Sequence, residues 1–187
     1  MTRLLTAATV VTATVVTLAT TACTSPAPTP PRTTPTAQAL PSSPSPAPFP
    51  DDGVPRIPCD HVIGIEHNGP QPPLETLLDA VALPTRVQLQ PVPSDGRWWA
   101  KHGLLVRPGA PVDIEIVGDA ARHATIGWGN PGPETTRIRV HCPANPTTPG
   151  WLAFAGGYTV DEPTCLPLRI RSGPHSTLTH IPIGTPC

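Results

Sequence analysis

The chain has 187 residues, 30 of them proline and 15 glycine, with 13% charged residues, 4% aromatics and a net charge of −1. Proline this dense excludes a long coiled coil or helical bundle. The charge balance excludes a non-specific nucleic-acid binder, and the chain is too short for two ordinary domains once its front segment is set aside.

Arg3 is the only charge before Arg32, and residues 4–20 are Leu, Ala, Val and Thr alone. A short positive start, an apolar stretch and a small-residue exit predict an export signal over residues 1–22. The apolar stretch is too short and too rich in threonine for a membrane span. Its exit, Leu18-Ala19-Thr20-Thr21-Ala22-Cys23, resembles the lipobox of bacterial lipoproteins, with Thr20 where that family carries leucine. The resemblance implies that Cys23 is the mature N-terminus and lipid anchor, holding the protein on the outer membrane face. The alternative is cleavage after Ala22, giving a free secreted protein.

Residues 23–50 form a tether. Thr24 to Pro50 is almost wholly Pro, Ala, Ser and Thr, with ten prolines and a single charge, Arg32. Such a segment has too little apolar area to offset ordering entropy and is expected to be disordered. At the polyproline rise its reach is at most about 80 Å.

Five cysteines are present: Cys23, Cys59, Cys142, Cys165 and Cys187. An odd number in an exported chain is explained if Cys23 is the anchor and the other four pair. Four cysteines allow three pairings. Cys165 and Cys187 flank a terminal hairpin, which favours Cys165–Cys187 and therefore Cys59–Cys142. In the loop-entropy description these contribute about 3 and 4.5 kcal/mol. No C-x-x-C spacing suggests a metal–thiolate site, and exported compartments are oxidising.

Residues 51–187 read as one all-β domain, an antiparallel β-sandwich (immunoglobulin-like or similar) of about eight to ten short strands. Val112, Ile114 and Ile116 alternate with Asp113 and Glu115; Leu166, Leu168 and Ile170 alternate with Pro167, Arg169 and Arg171; Ile138 and Val140 alternate with Arg137 and Arg139. Val87 and Leu89 alternate with Gln88 and Gln90. Period-two alternation marks half-buried strands. Further strands are expected over 59–66, 104–107, 124–128, 151–160 and 178–183. Pro108-Gly109 and Gly173-Pro174 mark turns. Over 74–83, Leu74, Leu77, Leu78 and Val81 sit at helix spacing, yet Val81-Ala82-Leu83-Pro84 reads as a strand entering a turn; strand is the reading taken.

The runs Trp99-Ala100-Lys101-His102-Gly103-Leu104, Ile126-Gly127-Trp128-Gly129-Asn130-Pro131 and Trp151-Leu152-Ala153-Phe154-Ala155-Gly156-Gly157-Tyr158 stand out, as does Cys165-Leu166-Pro167-Leu168 with Gly184-Thr185-Pro186-Cys187. In this order they resemble a family of small exported actinobacterial proteins, often lipoproteins, of uncharacterised function. The resemblance covers roughly residues 58–187. It implies a compact domain with paired cysteines and transfers no catalytic residue.

Catalytic signatures are absent from the sequence. There is no G-x-S-x-G, and Ser94, Ser172 and Ser176 lie in turn-like contexts. Asp113 and Glu115 share a strand face, expected to be solvated; two carboxylates across a cleft are what a hydrolase needs. Histidines 61, 67, 102, 123, 141, 175 and 180 show no recurring ligand spacing, although Asp60, His61, Glu66 and His67 cluster. No catalytic residue, metal site or cofactor is therefore assigned. Trp128 and Trp151 are expected in the core, with Gly127, Gly129, Gly156 and Gly157 permitting close backbone approach.

The binding hint is Arg97-Trp98-Trp99-Ala100-Lys101, where one tryptophan of a strand must face outward between basic groups. Arg97, Trp98, Trp99 and Lys101 are the candidate patch, suited to stacking on a sugar ring or an anionic wall polymer. The reading is a tethered envelope protein with a non-catalytic binding or structural domain. Its partners are the membrane, through lipid, and a cell-wall polymer or surface protein, not nucleic acid. A secreted hydrolase using carboxylates and a metal-binding surface protein are the alternatives.

Overall fold

The computed structural model describes residues 49, 52–147 and 149–187. The export signal, Cys23 and the tether up to residue 48 lie outside the described residues. All described residues belong to one compact unit.

Three antiparallel sheets build an all-β, sandwich-like domain. The first has five strands in the order β1 (Val62–Glu66), β10 (Trp151–Phe154), β6 (Leu104–Val106), β3 (Val81–Leu83) and β2 (Glu75–Leu77). The second runs β4 (Val92–Ser94), β5 (Arg97–Lys101), β11 (Gly156–Val160) and β8 (Ala124–Trp128). The third runs β13 (His175–Ile183), β12 (Thr164–Ser172), β7 (Val112–Ile116) and β9 (Arg137–Val140).

Alternation aims one face of each sheet at a shared core. Val112, Ile114 and Ile116 of β7, Ile138 and Val140 of β9, and Leu166, Leu168 and Ile170 of β12 are buried there with Ile126, Trp128, Phe154 and Tyr158. Each fully buried aliphatic side chain of this kind contributes about 1.5–3 kcal/mol. Trp128 stacks edge-on against Tyr158 at 5.3 Å between ring centroids, and its indole N–H donates to the His102 carbonyl at 2.8 Å. Trp151 is buried in a smaller cluster with Ala82 and Leu105.

The described residues hold 13 strands, more than the eight to ten expected. One reason is the run 151–160, which reads as a single strand but is cut at Ala155. Its first half joins the five-stranded sheet as β10 and its second half joins the β5 sheet as β11. Gly156 makes the switch, with φ +157° and a backbone so close to Gly127 and Trp128 that a Cβ would collide with both. The 74–83 segment is a hairpin. Leu78 and Asp79 both have φ +52°, and the Ala80 N–H donates to the Leu77 carbonyl at 3.0 Å. Leu78 is strained in this conformation. Arg107 holds the turn, donating to the Asp79 carbonyl at 2.8 Å and pairing with its carboxylate.

Two strand expectations are corrected. Residues 87–90 are not a strand; Leu89 makes only an isolated bridge to Ile183. Residues 59–61 form a 3-10 turn before β1 begins. The disulfides are Cys59–Cys142 and Cys165–Cys187. The first ties the 3-10 turn to the chain beyond β9; the second ties the start of β12 to residue 187, four residues past β13.

Candidate binding face

On β5 the period of two sends Arg97, Trp99 and Lys101 to one face and Trp98 and Ala100 to the other. Ala100 is buried and Trp98 packs against the core. Trp98 is therefore removed from the candidate patch. Its neighbour Trp99 is half-buried on the outer face. The cross-strand register sets Trp99 between Val92 of β4 and Thr159 of β11, with Thr125 of β8 next in line.

A groove of about 150 Å³ opens beside the Trp99 ring, with Gly127 and Gly157 in its floor and Glu134 and Thr159 on its walls. The glycines are required by geometry. A Cβ on Gly157 would strike the Ala100 carbonyl, and one on Gly127 would lie 2.6 Å from the Pro133 carbonyl. Bare backbone thus lets the 129–136 loop lie against β8, where Ile126 and Thr135 exchange backbone hydrogen bonds of 2.8 and 3.1 Å. That loop delivers Glu134 over the sheet. Its two carboxylate oxygens accept from Thr125 Oγ1 and Thr159 Oγ1, each at 3.4 Å.

Arg97 is committed elsewhere. Its Nε pairs with Asp161 Oδ1 at 2.8 Å and its Nη2 donates to the His123 carbonyl at 3.2 Å. His123 Nδ1 meets the other Asp161 oxygen at 3.1 Å. The hydrogen bonds from His123 and Arg97 hold the Asp161 carboxyl below its ordinary value. This cluster closes one end of the face, and exposed Lys101 lies at the other. The face thus offers an aromatic ring, an acceptor carboxylate, two hydroxyls and one ammonium. That combination suits a sugar ring, with its apolar side on Trp99 and its hydroxyl donors toward Glu134.

The Asp113–Glu115 pair is not the solvated strand face expected. Asp113 is buried, at 4% exposure. Its oxygens accept from Arg137 Nη2 at 2.6 Å and Arg139 Nε at 3.0 Å, with Arg171 Nη1 at 3.5 Å. Glu115 pairs with Arg171 at 2.9 Å and Arg169 at 3.4 Å. Cross-strand register explains this: Arg171, Asp113 and Arg139 form one row across β12, β7 and β9, and Arg169, Glu115 and Arg137 form the next. Asp52 caps the first row by pairing with Arg139 at 2.5 Å. Burial pushes the Asp113 carboxyl up, but hydrogen bonds from Arg137 and Arg139 outweigh it and hold the group below its ordinary value. A carboxylate locked between arginines is no general acid or base.

The histidines separate as well. His61 Nδ1 accepts from the Asn130 N–H at 3.1 Å, while His67 Nδ1 lies 2.8 Å from the Pro149 carbonyl. Among the described residues no three His, Cys, Asp or Glu side chains come together as a metal site. A larger hollow of about 380 Å³ lies over Leu74, Leu105 and Ala153, with His102 in its wall. Burial lowers the pKa of that histidine, and its Nδ1 is enclosed without a partner among the described residues.

Glu134, Thr125 and Thr159 escaped the sequence reading. Thr125 and Thr159 alternate with core residues on β8 and β11, so their outward aim was legible. Glu134 lies on a loop, where only the tertiary structure brings it to Trp99. No protein-family model and no curated protein matches the chain.

Proposed function

We propose that the protein is an exported, membrane-tethered binding protein, anchored through lipid on Cys23, whose β-domain holds a saccharide of a cell-envelope polymer along Trp99. The observation that carries this reading is the groove itself: a half-buried tryptophan beside a backbone floor that only glycine allows, under a carboxylate aligned by two threonines. The two disulfides support an extracytoplasmic location, since such bonds persist in oxidising compartments. A reading as a carboxylate hydrolase is weakened because Asp113 and Glu115 are held in arginine pairs.

Two measurements test the proposal. Mass spectrometry of the mature N-terminus is expected to find a diacylglyceryl group on Cys23; a free Cys23 or a later start removes the anchor. Co-sedimentation with insoluble peptidoglycan is expected to retain the wild-type protein. Trp99→Ala is expected to weaken retention about tenfold, a loss of ~1.4 kcal/mol. Equal retention of both proteins, or of neither, removes the binding reading.

A further inference from the structure

Among the described residues the three sheets present six edges, and five are blunted. β1 bulges at Ile63, between Val62 and Gly64. β2 is three residues long and follows the Pro72–Pro73 pair. β4 is three residues long with Pro93 at its centre. β8 is bridged by Thr135, and β9 by the 55–57 segment through hydrogen bonds at Arg139. Such devices stop a sheet from recruiting further strands.

β13 is different. It runs nine residues, pairs with β12 along its whole length on one side, and on the other side is covered, among the described residues, only at its end. There the Pro182 carbonyl accepts from the Leu89 N–H at 2.8 Å. Because backbone groups alternate in direction along a strand, the N–H and C=O of Ser176, Leu178 and His180 point the same way as the Pro182 carbonyl. They have no strand opposite them among the described residues. The open stretch carries no proline, lysine or carboxylate, and Leu178 is 61% exposed at its centre.

The open stretch is also close to a palindrome. Around Leu178 the sequence reads His175-Ser176-Thr177-Leu178-Thr179-His180. A two-fold axis through Leu178 sets Leu178 against Leu178 of a second copy, Thr177 against Thr179, and Ser176 against His180. Leu178 faces the outer side, so the two leucines cover each other there, and the threonines form cross-strand pairs on the opposite side. Each His180 lies opposite Ser176 of the other copy, so no two charged side chains stand directly opposite each other. The Pro-rich segment before the domain, with ten prolines between residues 24 and 50, lacks the regular N–H donors that an added strand supplies.

We propose that β13 pairs antiparallel with β13 of a second copy of this chain, joining two four-stranded sheets into one of eight across a two-fold axis at Leu178. This surface is separate from the Trp99 groove, so either can fail without the other.

Register-specific cross-linking tests it, using the full chain in detergent with Cys23→Ser as background. In a directly opposed hydrogen-bonded pair the Cα atoms lie about 5.5 Å apart, within disulfide range. Leu178→Cys is therefore expected to oxidise to a covalent dimer of doubled mass. Ser176→Cys places its two sulfurs four residues out of register, about 13 Å apart along the strand, and is expected to stay monomeric. The double variant Ser176→Cys/His180→Cys is expected to cross-link. A monomeric Leu178→Cys protein overturns the proposal, as does equal cross-linking of Leu178→Cys and Ser176→Cys.

Discussion

Replacing Asp113 with asparagine removes one charge from a site that three arginines surround. The Asp113 side chain is 6% exposed and that of Arg139 is 5%, so this pair is dry; Arg137 and Arg171, at 31% and 34%, reach water. Losing the carboxylate leaves the Arg139 guanidinium buried, with its Asp52 pairing retained. Breaking a buried pair by removing one partner costs about 3–5 kcal/mol. The retained Asp52 contact places the expected loss near the low end, at about 3 kcal/mol. Guanidinium unfolding with the disulfides intact measures it, beside Asp119→Asn as a control. Asp119 pairs with Arg122 at the surface, with side chains 86% and 68% exposed, and is expected to matter by under about 0.5 kcal/mol. The pH dependence carries the same signature. The folded pKa of Asp113 is depressed, so its contribution is present above the unfolded value near ~4 and is lost as pH falls through the folded value. The variant is thus expected to lose less stability on acidification than the wild type. Equal losses for Asp113→Asn and Asp119→Asn, or an unchanged acid slope, would show that the Asp113–Arg139 pair does not stabilise the fold.

Three further outcomes follow from the core and the staples. Tyr158→Phe removes a buried hydroxyl that has no hydrogen-bond partner among the described residues, and is expected to stabilise the domain by ~1 kcal/mol in the same unfolding assay; destabilisation would show that the hydroxyl is satisfied. Gly157→Ala drives a methyl into the Ala100 carbonyl, and is expected to lower the thermal midpoint, at a cost of about 1–3 kcal/mol; a neutral outcome would contradict the close approach. Replacing both Cys59 and Cys142 with alanine opens a loop of 83 residues, against 22 for Cys165 and Cys187. The first double variant is expected to lose about 1 kcal/mol more than the second, read from paired denaturant midpoints; the reverse order would contradict the entropic account.

The fold was legible where alternation was strong. β7, β9 and β12 show inward residues at every second position, and each forms as read. It was illegible where one apolar run serves two sheets. Nothing in Trp151–Val160 marks a change of sheet except Gly156, and a glycine within a strand run has several meanings. Over 74–83 the strand reading holds, and the helix-like spacing of Leu74, Leu78 and Val81 is a by-product of a hairpin whose turn places leucine at positive φ. At the candidate face, the outward aim of Trp99 and the inward aim of Trp98 follow from period two alone. The neutralisation of Arg97 by Asp161 does not, because the two lie 64 residues apart in sequence. Asp113 was misjudged for the same cause. A charged residue on a strand face reads as solvated until the register shows arginines on both sides of it.

The most direct measurement of the binding claim is an NMR titration of the protein with soluble peptidoglycan fragments, following backbone amides and tryptophan indole N–H groups. Shifts are expected at the Trp99 indole and at the Thr125, Thr159 and Glu134 amides, with Trp128 and Trp151 unmoved in the core. Shifts centred instead on the hollow beside His102, or none at saturating fragment, would contradict it.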